Sequence, residues 1–92
     1  MADNSYSDTV YGQILPLEYD KRGVSRVMIL VDGDEEFVVM PTRQGAELVN
    51  HVDSWVRAKG VISEENDEVT IKIYHYDIED EEIEYTSYDD RW

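Results

Sequence analysis

The chain has no cysteine, which excludes disulfides, thiolate metal sites and cysteine nucleophiles together. Such a chain fits a reducing compartment. Basic side chains are scarce: 8 Lys plus Arg stand against 22 Asp plus Glu, a net charge of −14. Charge of that sign repels phosphate backbones, whose binding depends on cations displacing counterions, and it repels anionic membrane surfaces. No apolar run approaches the roughly 20 residues that span a bilayer. The opening MADNSYSD has neither the basic nor the apolar region of a signal peptide. These absences lead to the expectation of a soluble, cytoplasmic domain with no membrane partner. Ninety-two residues allow one small core.

What is present is alternation. In VSRVMILVDGDEEFVVMP (24–41), Val27, Ile29 and Val31 point one way, with Phe37 and Val39 beyond Asp32-Gly33. Met28, Leu30, Val38 and Met40 point the other way, with Arg26 beside them. The Asp-Gly pair suits a two-residue hairpin turn with positive φ at both positions. A hairpin with one buried face should be polar on its second face. This one is apolar on both.

Upstream, TVYGQILPLEYD reads as a strand with Val10, Gly12 and Ile14 on one side. Pro16 cannot donate to a ladder and marks an edge or bulge, after which Leu17 and Tyr19 continue the apolar pattern one residue out of phase. Past Pro41 the period lengthens. TRQGAELVNHV places Ala46 and Val49, with Leu48 and Val52 as further candidates, at helical spacing behind a Thr42 N-cap. In SWVRAKGVI, Val56, Ala58, Gly60 and Ile62 alternate with Trp55, Arg57, Lys59 and Val61; SEENDE follows as a polar loop. In VTIKIYHYDI, Ile71 and Ile73 face inward, and a slip near His75 returns Tyr76 and Ile78 to the core side. The expected interior is Val27, Ile29, Phe37, Val39, Val56, Ile71 and Ile73.

The order is β-β-β-α-β-β, mostly β with one short helix between the third and fourth strands. That is the order of the five-stranded OB-fold barrel. The stretches GQILPLEYDKRG, VVMP, GAELVNHV and VRAKGVISEENDEVTIKIYHYDI also resemble small stand-alone bacterial OB-fold proteins, over about residues 10–78. The resemblance rests most on the Val-x-Ala-x-Gly-x-Ile pattern ending at Ile62 and on IKIYHYDI. It implies an OB fold, with a ligand face on the second and third strands flanked by the loops YDKRG and SEENDE. The expected layout is a mobile N-terminus (1–8), an OB domain (9–78) and an acidic tail (79–92). Ile78 to Trp92 carries seven acids and Arg91, which leaves 15 acids against 7 bases before it. A mobile, solvated tail is the simplest reading; a tail that imitates a nucleic-acid strand and lies along the domain's own basic residues, or binds a basic partner, is the alternative.

Two surfaces are candidate sites. Arg26, Met28, Leu30, Val38 and Met40 form an apolar face suited to a protein partner or to weak self-association. Burying its four apolar side chains is worth roughly 4–8 kcal/mol before the costs of association. Trp55, Arg57, Lys59, Lys72 and Tyr74 combine cations with aromatics, the ingredients for stacking single-stranded nucleic acid. Net charge disfavours that use. DGDEE at 32–36 lacks the spacing of a calcium loop. His51 and His75 sit in no metal or catalytic motif, and Ser54 and Ser63 have no triad context. The expectation is therefore a non-enzymatic interaction module without metal or cofactor, or alternatively a single-strand binder autoinhibited by its tail.

Overall fold

The computed structural model describes residues 5–32 and 35–79. The chain is mostly β: β1 (Tyr6–Asp20), β2 (Gly23–Val31), β3 (Glu35–Val39), α1 (Arg43–Glu47) continuing as a 3₁₀ turn (Leu48–His51), β4 (Trp55–Glu65) and β5 (Glu68–Ile78). The sheet closes in a ring in the order β1-β2-β3-β5-β4. Every pairing is antiparallel except β3 with β5, where only Val38↔Thr70 and Val39↔Ile71 are in register. The single helix is one turn long, and no helix among the described residues is long and apolar enough to cross a membrane.

Alternation along each strand fills the ring. All seven expected interior residues are buried, joined by Val10, Ile14, Leu48, Ala58 and Ile62. The slip near His75 is present: Lys59 pairs with His75 and Gly60 with Ile73, so Tyr74 is an extra residue. Beyond it Tyr76 and Ile78 pack against the core. Gly60 lies at this bulge, closely packed against β5. A Cβ there would sit 2.5 Å from the Lys72 carbonyl oxygen and 2.9 Å from Ile71 Cγ1.

The helix is rotated from the expected setting. Thr42 Oγ1 accepts from Gly45 N at 3.2 Å and donates to the Ile73 carbonyl at 3.4 Å, which ties the helix start to β5. Gly45 is buried, and a Cβ on it would collide with the Met40 carbonyl oxygen. Because the helix tightens after Glu47, residues three apart share a face. Gly45 and Leu48 therefore turn inward together. Leu48 is fully buried, Val49 and Val52 pack at its edge, and Ala46 is exposed, contrary to the sequence spacing.

Three further points concern loops and bulges. Val31 pairs with Glu35, and the expected Asp32-Gly33 turn falls on residues 33 and 34, which lie outside the described residues. SEENDE is mostly strand: Glu65 pairs with Glu68, leaving a two-residue turn in which Asn66 (φ 54°) and Asp67 (φ 65°) are both left-handed. Pro16 does mark a bulge, between Pro16↔Val27 and Glu18↔Arg26. Leu17 is its unpaired residue, and Leu17 and Tyr19 are exposed instead of rejoining the core. At the N-terminus, β1 begins at Tyr6, opposite Ile62.

The rotation of the helix makes a sharp prediction. Leu48→Ala should destabilise the domain by about 2–5 kcal/mol, while Ala46→Lys should change stability by less than about 0.5 kcal/mol. Urea denaturation of the two variants checks the pair.

Candidate functional site

The second apolar face of the hairpin is outward, and the register arranges it in rows. Leu15, Met28, Val38 and Thr70 stand side by side across four strands. Gln13, Leu30 and Glu36 form the next row. Val38 is only 8% exposed yet stands outside the core cluster, so its cover comes from the outer side of the sheet. Met28, Leu30, Met40 and Leu15 are half-buried in the same way. The sequence assigned Arg26, Met28, Leu30, Val38 and Met40 to one surface; alternation along β2 and β3 keeps Arg26, Met28, Leu30 and Val38 on one side, and Met40 lies just past the end of β3. Arg26 is held by Glu18, Nη1 to Oε2 at 3.7 Å, and its Nε is shut from solvent with no hydrogen-bond acceptor.

Neither end of the described chain covers this face. The first half of β1, Tyr6 to Gln13, runs along β4. At the other end Glu79 N donates to the Trp55 carbonyl at 2.7 Å, which carries the chain along β4 as well. The face instead adjoins a groove of about 380 Å³ lined by Leu17, Met28, Glu36, Val38, Asp67, Glu68 and Val69. Leu17 and Val69 were not among the sequence candidates. The out-of-phase position of Leu17 after Pro16 is the signal the sequence carries for it.

The basic and aromatic set divides. Trp55, Arg57 and Lys59 follow one another on the outer side of β4, and the first two meet Tyr11, a residue not among the sequence candidates. Tyr11 and Trp55 stack at 5.5 Å with their planes 27° apart, and the Arg57 guanidinium lies 5.4 Å from the Tyr11 ring centroid. Arg57 also pairs with Glu79 at 3.0 Å and stands opposite Asp77. Lys72 and Tyr74 are exposed on β5, Lys72 beside Val61 and Tyr74 in the bulge. The structure thus brings Trp55 and Arg57 to Tyr11, sets Lys59 one step along β4 opposite Thr9, and leaves Lys72 and Tyr74 on the neighbouring strand. Of the acidic tail, only Glu79 lies within the described residues.

The two histidines remain apart. His75 Nε2 lies 3.4 Å from Asp77 Oδ2 on the exposed side of β5. His51, at the end of the 3₁₀ turn, tilts against Tyr76 with centroids 6.3 Å apart. Tyr76 donates its hydroxyl hydrogen to Glu47 Oε1 at 2.8 Å, joining helix to β5. That hydrogen bond, then partial burial and the nearby Glu47 charge, raise the Tyr76 pKa above its usual value. No family model matches the chain, and no curated protein matches it in sequence.

The Tyr76–Glu47 contact predicts a pH dependence of defined sign. A phenol whose folded pKa is raised contributes stability that is complete below its unfolded pKa of about 10 and is lost as pH rises through the folded value. Tyr76→Phe should therefore lose less stability than the parent between about pH 8 and about pH 11, read from urea midpoints at the two values.

Proposed function

We propose that this chain is a non-enzymatic OB-fold module that binds a protein, or a second copy of itself, through the outer face of β2 and β3. The ring order β1-β2-β3-β5-β4, with one parallel pair at β3–β5 and the helix between β3 and β4, supports the OB reading. The observation that carries the functional reading is the outward row of Leu15, Met28 and Val38, continuous with a groove and crossed by neither end of the described chain. The bacterial and cytoplasmic setting belongs to the same proposal and rests on the sequence resemblance and the absence of cysteine. The driving force is limited. Four fully exposed side chains would have offered roughly 4–8 kcal/mol, but these are already half-covered or more, so only about half or less of that remains for a partner. A face of this kind gives weak association unless other interactions add to it.

Changing Met28 and Met40 together to Asp should preserve the fold, since both side chains sit outside the core cluster, while abolishing association. Light scattering at high concentration and capture of partners from lysate provide the readout for parent and variant. A parent that stays monomeric and captures nothing removes the support for this reading.

A second reading, single-stranded nucleic-acid binding, is favoured by one observation: the exposed Tyr11–Trp55 stack with Arg57 against it. Glu79 occupies the Arg57 guanidinium, so a tail-inhibited platform predicts that removing residues 79–92 raises affinity for a short oligonucleotide. Fluorescence titration at about 50 mM salt, where phosphate contacts are least screened, tests this; no binding by the truncated chain disposes of it.

A further inference from the structure

The ring is closed unevenly, and the groove lies where closure fails. The β3–β5 ladder begins at Val38↔Thr70, so Glu35, Glu36 and Phe37 run beside the start of β5 without pairing to it. Met40 N donates to the Ile71 carbonyl. Alternate residues of a strand direct their peptide groups to the same side. The peptide groups of Glu36 therefore face this seam, beyond its last rung. Extending the parallel register brings Glu36 abreast of Glu68, two like charges that oppose closer approach.

Cavities open on both sides of the seam. One is the outer groove of about 380 Å³, and the other, of about 250 Å³, is lined by Tyr6, Glu35, Glu36, Phe37, Ile62, Glu64 and Val69. Glu36 and Val69 belong to both. The groove has an apolar floor of Leu17, Met28, Val38 and Val69, and among the described residues every charged one lining it is acidic: Glu36, Asp67 and Glu68. The left-handed two-residue turn fixes where Asp67 stands. Cations lie at the opposite end of the face, where Arg26 is already paired with Glu18 and Lys72 is exposed.

From this juxtaposition we propose that the segment received here is an extended, basic and partly apolar stretch of a partner protein, with Lys or Arg side chains lodged at the seam against Glu36, Asp67 and Glu68. The proposal rests on the protein-binding reading above and names its partner's chemistry. A second copy of this chain, with its excess of acids, fits the seam poorly. An extended segment suits it because the groove follows the seam beyond the last β3–β5 rung, on the side that the Glu36 peptide groups face. Its apolar side chains meet Leu17, Met28 and Val38, and its cations supply the attraction that the half-covered face lacks.

Three synthetic peptides test this on the full chain by NMR: leucine alternating with lysine, with serine, and with glutamate. The lysine peptide should shift the signals of Leu17, Met28, Val38 and Val69 and bind at least about tenfold more tightly than the other two. Combining Glu36→Lys, Asp67→Asn and Glu68→Lys should weaken it about tenfold or more, with asparagine chosen because it tolerates positive φ. Lysine substitutions at Asp8, Asp20 and Asp77, off the groove, should weaken it far less. Equal binding of the serine peptide at this face overturns the charge assignment but leaves the protein-binding reading intact. Shifts spread over all acidic surfaces, or equal weakening by the distant substitutions, show charge attraction without a site and overturn the proposal. If no peptide perturbs the face, proposal and reading fall together.

Discussion

Two rungs of parallel ladder, Val38↔Thr70 and Val39↔Ile71, with the Met40 N to Ile71 O bond beside them, turn this sheet into a ring. The other four seams are antiparallel and extensive. Without the short one, β3 and β5 would each present an open edge, and the shared interior of Ile29, Phe37, Val39, Ile71 and Ile73 would lose its wall. The helix depends on the same place. Gly45 rests against the Met40 carbonyl and Thr42 bonds to Ile73, so the segment carrying Leu48 is anchored to the two strands that close the ring.

The closing seam also divides the surface. On one side it ends in a gap between carboxylates, floored by apolar side chains of β1, β2 and β3. Around the ring, on β4 and the first half of β1, the outer surface carries the Tyr11–Trp55 stack and its arginine. There the chain brings its own acid, Glu79, to its own cation. At the groove the acids have no lining cation opposite them among the described residues. That contrast, more than net charge, separates the two candidate surfaces.

Much of the fold was legible because a period of two is a strong signal. It gave the seven interior residues, and the break in that period at Tyr74–His75 gave the bulge. Local turn chemistry was less dependable. Asn66-Asp67 forms a tight left-handed turn inside a stretch whose acidity suggests a loop. On the helix, Leu48, Val49 and Val52 do reach the core and only Ala46 does not: five helical residues are too few to establish a period, and the shift to 3₁₀ geometry turns Leu48 inward in place of Ala46. The apolar site face was visible in the alternation of Met28, Leu30, Val38 and Met40. Its rim was not: Leu17 is turned out by a bulge, and Asp67, Glu68 and Val69 join it only through a pairing between distant strands.

The first strand serves two neighbours. Its second half pairs with β2 through a two-residue connection, whereas its first half waits for β4, with Tyr6 opposite Ile62. As the polypeptide leaves the ribosome, the nearby hairpin can zip at once, while residues 6–13 have no mate until most of the domain has been synthesised. Pairings between distant positions make folding slow and leave an unsatisfied edge meanwhile. Tyr6, Ser7, Asp8 and Thr9 are polar and exposed on that edge, a composition that lowers the risk of misassembly between nascent chains during the delay.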